Sequence, residues 1–162
     1  MSKGNLNVAI AGAGMGGLAV AAALRKAGLA VTVYEQARQF TRLGAGIQIG
    51  CNAMHVLRGL GLESLLRAET FYPRSWNNRH WKTGEVLFDM VLGPSAEAKY
   101  GAPYLLAHRG DLHEALASIV PPDSIVPEIA MGRLSPSSLA LRRVPRSAAF
   151  TALVSLQVSM RR

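Results

Sequence analysis

The feature that most constrains this chain is GAGMGG at residues 12–17, set between the apolar run LNVAIA and an alanine-rich stretch that reaches Lys26. Leu6 to Ala11 has the apolar continuity of a strand buried on both faces, and the glycines release the chain into a helix over Met15 to Lys26. The alanines favour helix propagation, and Gly28 supplies a C-terminal stop before a second apolar run, LAVTVYE. Strand, turn, helix, strand in that order requires a crossover if the strands are parallel, and the spacing suffices for a right-handed unit. The expected class is α/β with a central parallel sheet.

Gly12, Gly14 and Gly17 match GxGxxG directly between the two predicted elements, with Gly16 beside them. Gly12 permits the tight turn, Gly14 lets a pyrophosphate approach the backbone, and Gly17 lets the helix pack closely on the sheet. The amides at the helix start attract the pyrophosphate's negative charge. Glu35 closes the second predicted strand, where its carboxylate accepts hydrogen bonds from an adenosine ribose and disfavours a 2′-phosphate. A dinucleotide site is therefore expected, although this motif does not separate FAD from NAD, whose chemistry lies in the other half of each cofactor.

After Glu35, residues 36–50 read as a long glycine-containing connection with one short strand. Residues 52–68 have the apolar spacing of one or two helices, with Asn52 as N-cap and a break at Gly59 and Gly61. From Phe71 to Val91 short antiparallel strands are expected, turning near Thr83 and Gly84. His108 to Ala117 reads as a helix capped by Asp111 and ended by Pro121 and Pro122. DSIVPEI reads as an edge strand, because Pro127 cannot donate in a central one. Beyond it Ser, Pro and Arg interrupt any period; the composition around Ala148 to Leu156 permits a local helix, and no domain is assigned there.

The 162 residues and 49% hydrophobic content allow one modest domain with a core, and exclude a wholly disordered chain. The net charge of +8 is uneven, since residues 129–162 contain 6 arginines and no acid. No aromatic-basic platform accompanies those arginines, so no nucleic-acid partner is expected. Cys51 is the single cysteine and no Cys/His spacing suggests a metal site, which fits a cytoplasmic protein. No apolar run reaches the length of a membrane span, so no membrane partner is expected.

Three ordered blocks, GAGMGGLAVAAALRKAGLAVTVYEQA, FTRLGAGIQIGCNAMHVLRGLGL and YLLAHRGDLHEAL, resemble the N-terminal part of class A FAD-dependent aromatic monooxygenases of the hydroxynicotinate and salicylate hydroxylase type. The resemblance covers about residues 6–120 and implies a Rossmann-like FAD-binding domain with an additional short strand region. It implies that Gly12, Gly14, Gly16, Gly17, Glu35 and Gln36 bind the ADP half of FAD. It places Arg42 and Gly46 in the loop that approaches the flavin, Gln48 near the flavin and substrate pocket, and Arg109 on FAD. Hydroxynicotinate members carry histidine where Gln48 stands. An amide donates and accepts hydrogen bonds but does not titrate, so no catalytic base is carried over and the catalytic residues stay unassigned.

The activity implied for a complete enzyme is hydroxylation of an aromatic carboxylic acid with oxygen, using NAD(P)H as electron donor and FAD as carrier. The family's later FAD-contacting segments are not visible here. Residues 1–128 therefore read as a partial FAD-binding domain, and 129–162 as an atypical basic tail, disordered or produced by truncation or frame-shift. A partial domain leaves apolar edges uncovered, which favours instability or association, and the chain alone is expected to lack turnover. The alternative reading is a noncatalytic dinucleotide-binding or structural interaction fragment.

Overall fold

The computed structural model describes residues 7–40 and 45–129, together with the backbone of 151–155. In chain order the first elements are β1 (Asn7–Ala11), α1 (Met15–Lys26), β2 (Ala30–Tyr34), β3 (Gly46–Ile49), α2 (Cys51–Gly59) and α3 (Glu63–Glu69). They are followed by β4 (Ser75–Arg79), β5 (Val86–Val91), α4 (Pro94–Tyr100), β6 (Leu105–His108), α5 (Arg109–Ser118), β7 (Ile125–Val126) and β8 (Thr151–Ser155). Two compact units result, one from residues 1–41 with 116–162 and one from 42–115.

The first unit is the parallel sheet that the sequence predicts. Its order is β7-β2-β1-β8, with Asn7 opposite Ala30 and Val33 opposite Ile125. Val8, Ile10, Val31 and Val33 are buried from the two central strands, and Leu18, Ala21 and Ala22 are buried from α1. Alternate strand residues thus meet one apolar helix stripe, the arrangement that makes a βαβ unit stable. Gly28 follows the helix at φ +84°, in the left-handed region, and its N–H reaches the Arg25 carbonyl at 2.9 Å. Between α5 and β7 the Ser124 hydroxyl, buried, accepts from Arg25 Nη1 at 3.0 Å. β7 is the edge strand expected of DSIVPEI, and it stops where Pro127 removes a donor.

The local helix permitted around Ala148 to Leu156 is replaced over Thr151–Ser155 by a strand, which lies parallel to β1 with Asn7 opposite Thr151. The open side of β1 offers a row of backbone donors and acceptors, and pairing with that row satisfies the segment's own groups. Residues 130–150 and 156–162 lie outside the described residues, and with them most of the tail.

In the second unit β3 and β6 pair antiparallel, and α2, α3 and α4 supply Met54, Leu57, Leu66 and Ala96 to its buried interior. Gly50, not Asn52, caps α2. It is extended at φ -68° and ψ 162°, and a Cβ there would lie 2.8 Å from Asn52 Oδ1. Asn52 sits inside the first turn, and the absent side chain of Gly50 makes room for its amide. Gly61 divides α2 from α3 at φ +87°, as the sequence suggests. β6 and α4 are not anticipated, although α4 shows its own punctuation, Pro94 at the start and Gly101 in the left-handed region at the end.

β4 and β5 form an isolated antiparallel ribbon, turning through Gly84 at φ +74°. Trp76, Val86, Leu87, Phe88 and Val91 are all exposed on it. Trp76 pairs with Met90 and Asn78 with Phe88, so one face is markedly aromatic.

Three helices of this unit are tied by charge. Glu63 of α3 accepts from Arg58 of α2 and, at 2.9 Å, from Arg67 one turn further along α3. Arg67 also reaches Glu97 of α4. The Arg58 hydrogen bond and then the Arg67 one hold the Glu63 carboxyl down to about 2. A depressed carboxyl contributes stability above its ordinary pKa, and that contribution disappears as pH falls through about 2. Glu63→Gln is expected to lower the melting temperature at neutral pH by about 2–4 °C, and to make no difference at the acid end, where the parent's Glu63 is protonated too. Thermal unfolding of parent and variant across that range checks both halves of the statement.

Candidate functional site

In the first unit, the three motif glycines do three separable things. Gly12 turns the chain at φ +94° while its N–H donates to the Tyr34 carbonyl at 2.7 Å, closing the turn onto β2. A Cβ on Gly17 would lie 2.0 Å from the Gly12 carbonyl oxygen and 3.5 Å from Ile10 Cγ2, so α1 reaches the strand because that position has no side chain. Gly14 is different. It precedes α1 in extended conformation, is exposed, and a Cβ there would have nothing within 4 Å. Its bareness serves no internal packing and leaves open space beside the helix start.

The intrahelical ladder of α1 begins with Leu18 N–H to Gly14 O at 2.9 Å, so the amides of Met15, Gly16 and Gly17 precede it. No acidic residue occupies the first turn, and Arg25 and Lys26 stand at the other end. The N-terminal end of the helix macrodipole is thus not offset by a carboxylate from its own first turn.

Glu35 stands directly after β2, half-buried, and both its oxygens are engaged. Ala13 N–H donates to Oε2 at 2.6 Å and Ala37 N–H donates to Oε1 at 2.9 Å. The carboxylate therefore ties the glycine turn to the end of β2, a structural duty that the sequence does not announce. Each oxygen keeps further acceptor capacity beyond one backbone donor. The backbone of Glu35 is held as well, its N–H by Val126 and its carbonyl by Ile129. Gln36 beside it is exposed.

Beside Glu35 lies a pocket of about 230 Å³ lined by Glu35, Ala37, Arg38, Gln39, Phe40, Pro122, Ile125 and Pro127. Its walls are largely apolar, and Arg38 brings a positive charge to it. Arg38 also faces Glu128 at 3.7 Å across a solvent-exposed gap.

In the second unit the β3 and β6 ladder gathers residues far apart in sequence. Gly46 pairs with His108 and Gln48 with Leu106, while Arg109 N–H donates to the Ala45 carbonyl at 3.1 Å. The second and third sequence blocks thus meet backbone to backbone, with Arg109, exposed, as the first residue of α5. Gln48 is exposed and its Oε1 accepts from the Tyr104 hydroxyl at 2.8 Å. His108, not Asp111, caps α5. The Gly110 N–H donates to His108 Nδ1 at 3.1 Å, and Asp111 lies within the first turn. Arg42 and Gly44 lie outside the described residues.

Tyr104 is the residue that the sequence pattern does not single out, its one signal being the apolar run at Leu105 to Ala107 that follows it, whereas His108 stands at the start of the expected helix and makes a local hydrogen bond there. Among the described residues no helix is long and apolar enough to cross a membrane, and no three His, Cys, Asp or Glu gather as a metal site.

Comparison with known proteins agrees with this geometry. Residues 5–122 match the FAD binding domain family. The chain is 48% identical over 119 residues to 6-hydroxynicotinate 3-monooxygenase of Pseudomonas fluorescens, covering 74% of this chain and 31% of that protein. It is 41% identical over 121 residues to 3-amino-4-hydroxybenzoate 2-monooxygenase of Streptomyces cremeus, covering 75% and 31%. The chain thus spans about 31% of the length of these curated relatives. Among solved structures, Klebsiella pneumoniae R204Q HpxO complexed with FAD shares the fold, with a TM-score of 0.66 and 24% identity over 75% of this chain and 31% of that one. The tetrameric form of 2-methyl-3-hydroxypyridine-5-carboxylic acid oxygenase shares it too, with a TM-score of 0.64 and 24% identity over 78% and 32%. With the glycine turn, the carboxylate at the end of β2 and the matched domain all in agreement, the chain belongs to the FAD binding domain family.

Proposed function

We propose that this chain supplies the adenosine-diphosphate grip, and part of the flavin surround, of an FAD-dependent monooxygenase that hydroxylates an aromatic carboxylic acid with oxygen and NAD(P)H. The observation that carries the reading is the open face of Gly14 at the start of α1, next to a turn that the Glu35 carboxylate holds in place. The residues present fit the cofactor. An unfilled glycine face beside uncapped helix amides suits a pyrophosphate, and the remaining acceptor capacity of Glu35 suits ribose hydroxyls. Gly12, Gly16 and Gly17 shape the turn, and Gln36 lies next to the ribose position. The largely apolar pocket beside Glu35, with Phe40, Pro122, Ile125 and Pro127 in its walls, suits a purine ring.

Arg109, Gly46 and Gln48 are the groups of the second unit assigned to the flavin side, and Arg42 joins them on the strength of the family resemblance. A guanidinium offers several directed donors, which suits anionic or carbonyl oxygens of a cofactor. When bound, FAD supplies the electron-carrying and oxygen-transfer chemistry. The protein's own part is to bind and orient it, and the first unit does so through backbone amides whose direction is fixed before any ligand arrives. The aromatic acid substrate is inferred from the names of the relatives, which act on hydroxynicotinate and aminohydroxybenzoate. A cytoplasmic location belongs to the same reading and is supported by the single unpaired cysteine.

The glycines provide a test that separates folding from binding. Gly14→Ala meets no atom within 4 Å and should leave the melting temperature close to the parent's while abolishing the quenching of FAD fluorescence on titration. Gly17→Ala places a methyl 2.0 Å from the Gly12 carbonyl and should cost about 1–3 kcal/mol of stability, read by denaturant unfolding. An FAD affinity unchanged by Gly14→Ala would sink the assignment of the pyrophosphate to this turn. Turnover is expected to be absent from the 162-residue chain on its own, so that adding NADH and benzoate to the FAD-supplemented protein leaves the rate of NADH oxidation at background. Benzoate-stimulated oxidation would overturn that expectation.

A further inference from the structure

Gln48 projects from β3 as an exposed side chain, yet its amide is not left to rotate, because the Tyr104 hydroxyl donates to its Oε1 at 2.8 Å. Tyr104 is itself well anchored. It is half-buried immediately before β6, between the fully buried Pro103 and Leu105. Burial first, and the Cys51 side chain second, push its phenol above the ordinary value, so the hydroxyl keeps its proton through the neutral range. A protonated phenol is a better donor than acceptor, since its oxygen lone pair is shared with the ring. A primary amide has one accepting end and one donating end, and turning the oxygen toward Tyr104 turns the NH₂ away from it.

We propose that Tyr104 is a positioning residue that holds Gln48 with its amide hydrogens outward, making Gln48 a dedicated donor to an oxygen acceptor. This rests on the assignment of Gln48 to the flavin side of the site. The acceptor chemistry is that of a carbonyl or oxyanion, which a flavin carbonyl and an aromatic carboxylate both offer. The arrangement also gives the exposed glutamine a defined direction. It holds a fixed donor whose direction does not change with pH while the phenol stays protonated.

The experiment uses the full chain labelled with ¹⁵N, the Gln48 side-chain amide being assigned through its disappearance in Gln48→Ala. In the parent that amide should be as ordered as the β3 backbone, whereas those of the exposed Gln36 and Gln39 should move freely. A Gln48 amide as mobile as that of Gln36 overturns the proposal without recourse to any variant. Tyr104→Phe should release the Gln48 amide and leave the backbone signals of Leu105 to His108 in place. An unmoved Gln48 amide, or a shift spread over all of β6, would count against positioning.

Ligand arms then identify the acceptor. FAD alone moving the Gln48 N–H signals assigns a flavin carbonyl, and movement only after benzoate is added to the FAD complex assigns the acid. In either case Tyr104→Phe should weaken the responsible ligand by about 5–10-fold. Binding of FAD and benzoate with no response at Gln48 rejects the donor role. Failure of the parent to bind FAD at all removes the functional reading instead, and the ordering of the free Gln48 amide still decides the claim about Tyr104.

Discussion

The approach of α1 to the turn that follows β1, possible only with glycine at position 17, sets the geometry of the glycine turn. A helix whose first turn would place a Cβ 2.0 Å from the Gly12 carbonyl can sit there only with glycine at position 17. That proximity brings the helix start to the C-terminal end of β1, where ligands of open parallel sheets bind. The Glu35 carboxylate then fixes the turn from the opposite side through Ala13. One contact sets the helix and the other sets the loop, so the backbone amides are aimed by packing and need no ligand to order them.

Glu35 shows how one residue type answers two demands. A carboxylate bound by two backbone N–H groups is already partly compensated for leaving water, and its remaining lone pairs are directed by those bonds. Replacing it with glutamine would set an amide NH₂ against one of the two backbone donors. The side chain is therefore constrained by the fold and by the proposed ribose contact alike, and neither role alone explains the position.

Sequence pattern and structure agree over the first strand, helix and strand, although the local capping rule misplaces the starts of α2 and α5. α1 runs over Met15–Lys26 as its alanines and flanking glycines imply, and the parallel pairing of β1 with β2 follows from their uninterrupted apolar character. The pattern fails where tertiary partners decide. β6 is only four residues long, and its pairing with β3 depends on a segment some 60 residues earlier, which no local period encodes. Likewise the cap of α5 passes from Asp111 back to His108, because the helix starts at Arg109 directly after β6 and leaves Asp111 inside its first turn. Within the site, the glycines and Glu35 were legible because their spacing is local. Tyr104 was not, since its meaning lies in a side chain 56 positions away.

The connectivity of the first unit also orders its assembly. β1, α1 and β2 are consecutive, so the glycine turn and its carboxylate come together at small entropic cost. β7 must return from Ile125 to lie beside Val33, closing a loop of roughly ninety residues before it gains its short ladder. The wall of the pocket formed by Ile125 and Pro127 thus costs more loop-closure entropy to bring into place than the glycine turn does. Local opening there would uncover the pocket beside Glu35 while leaving the glycine turn, built from consecutive elements, intact.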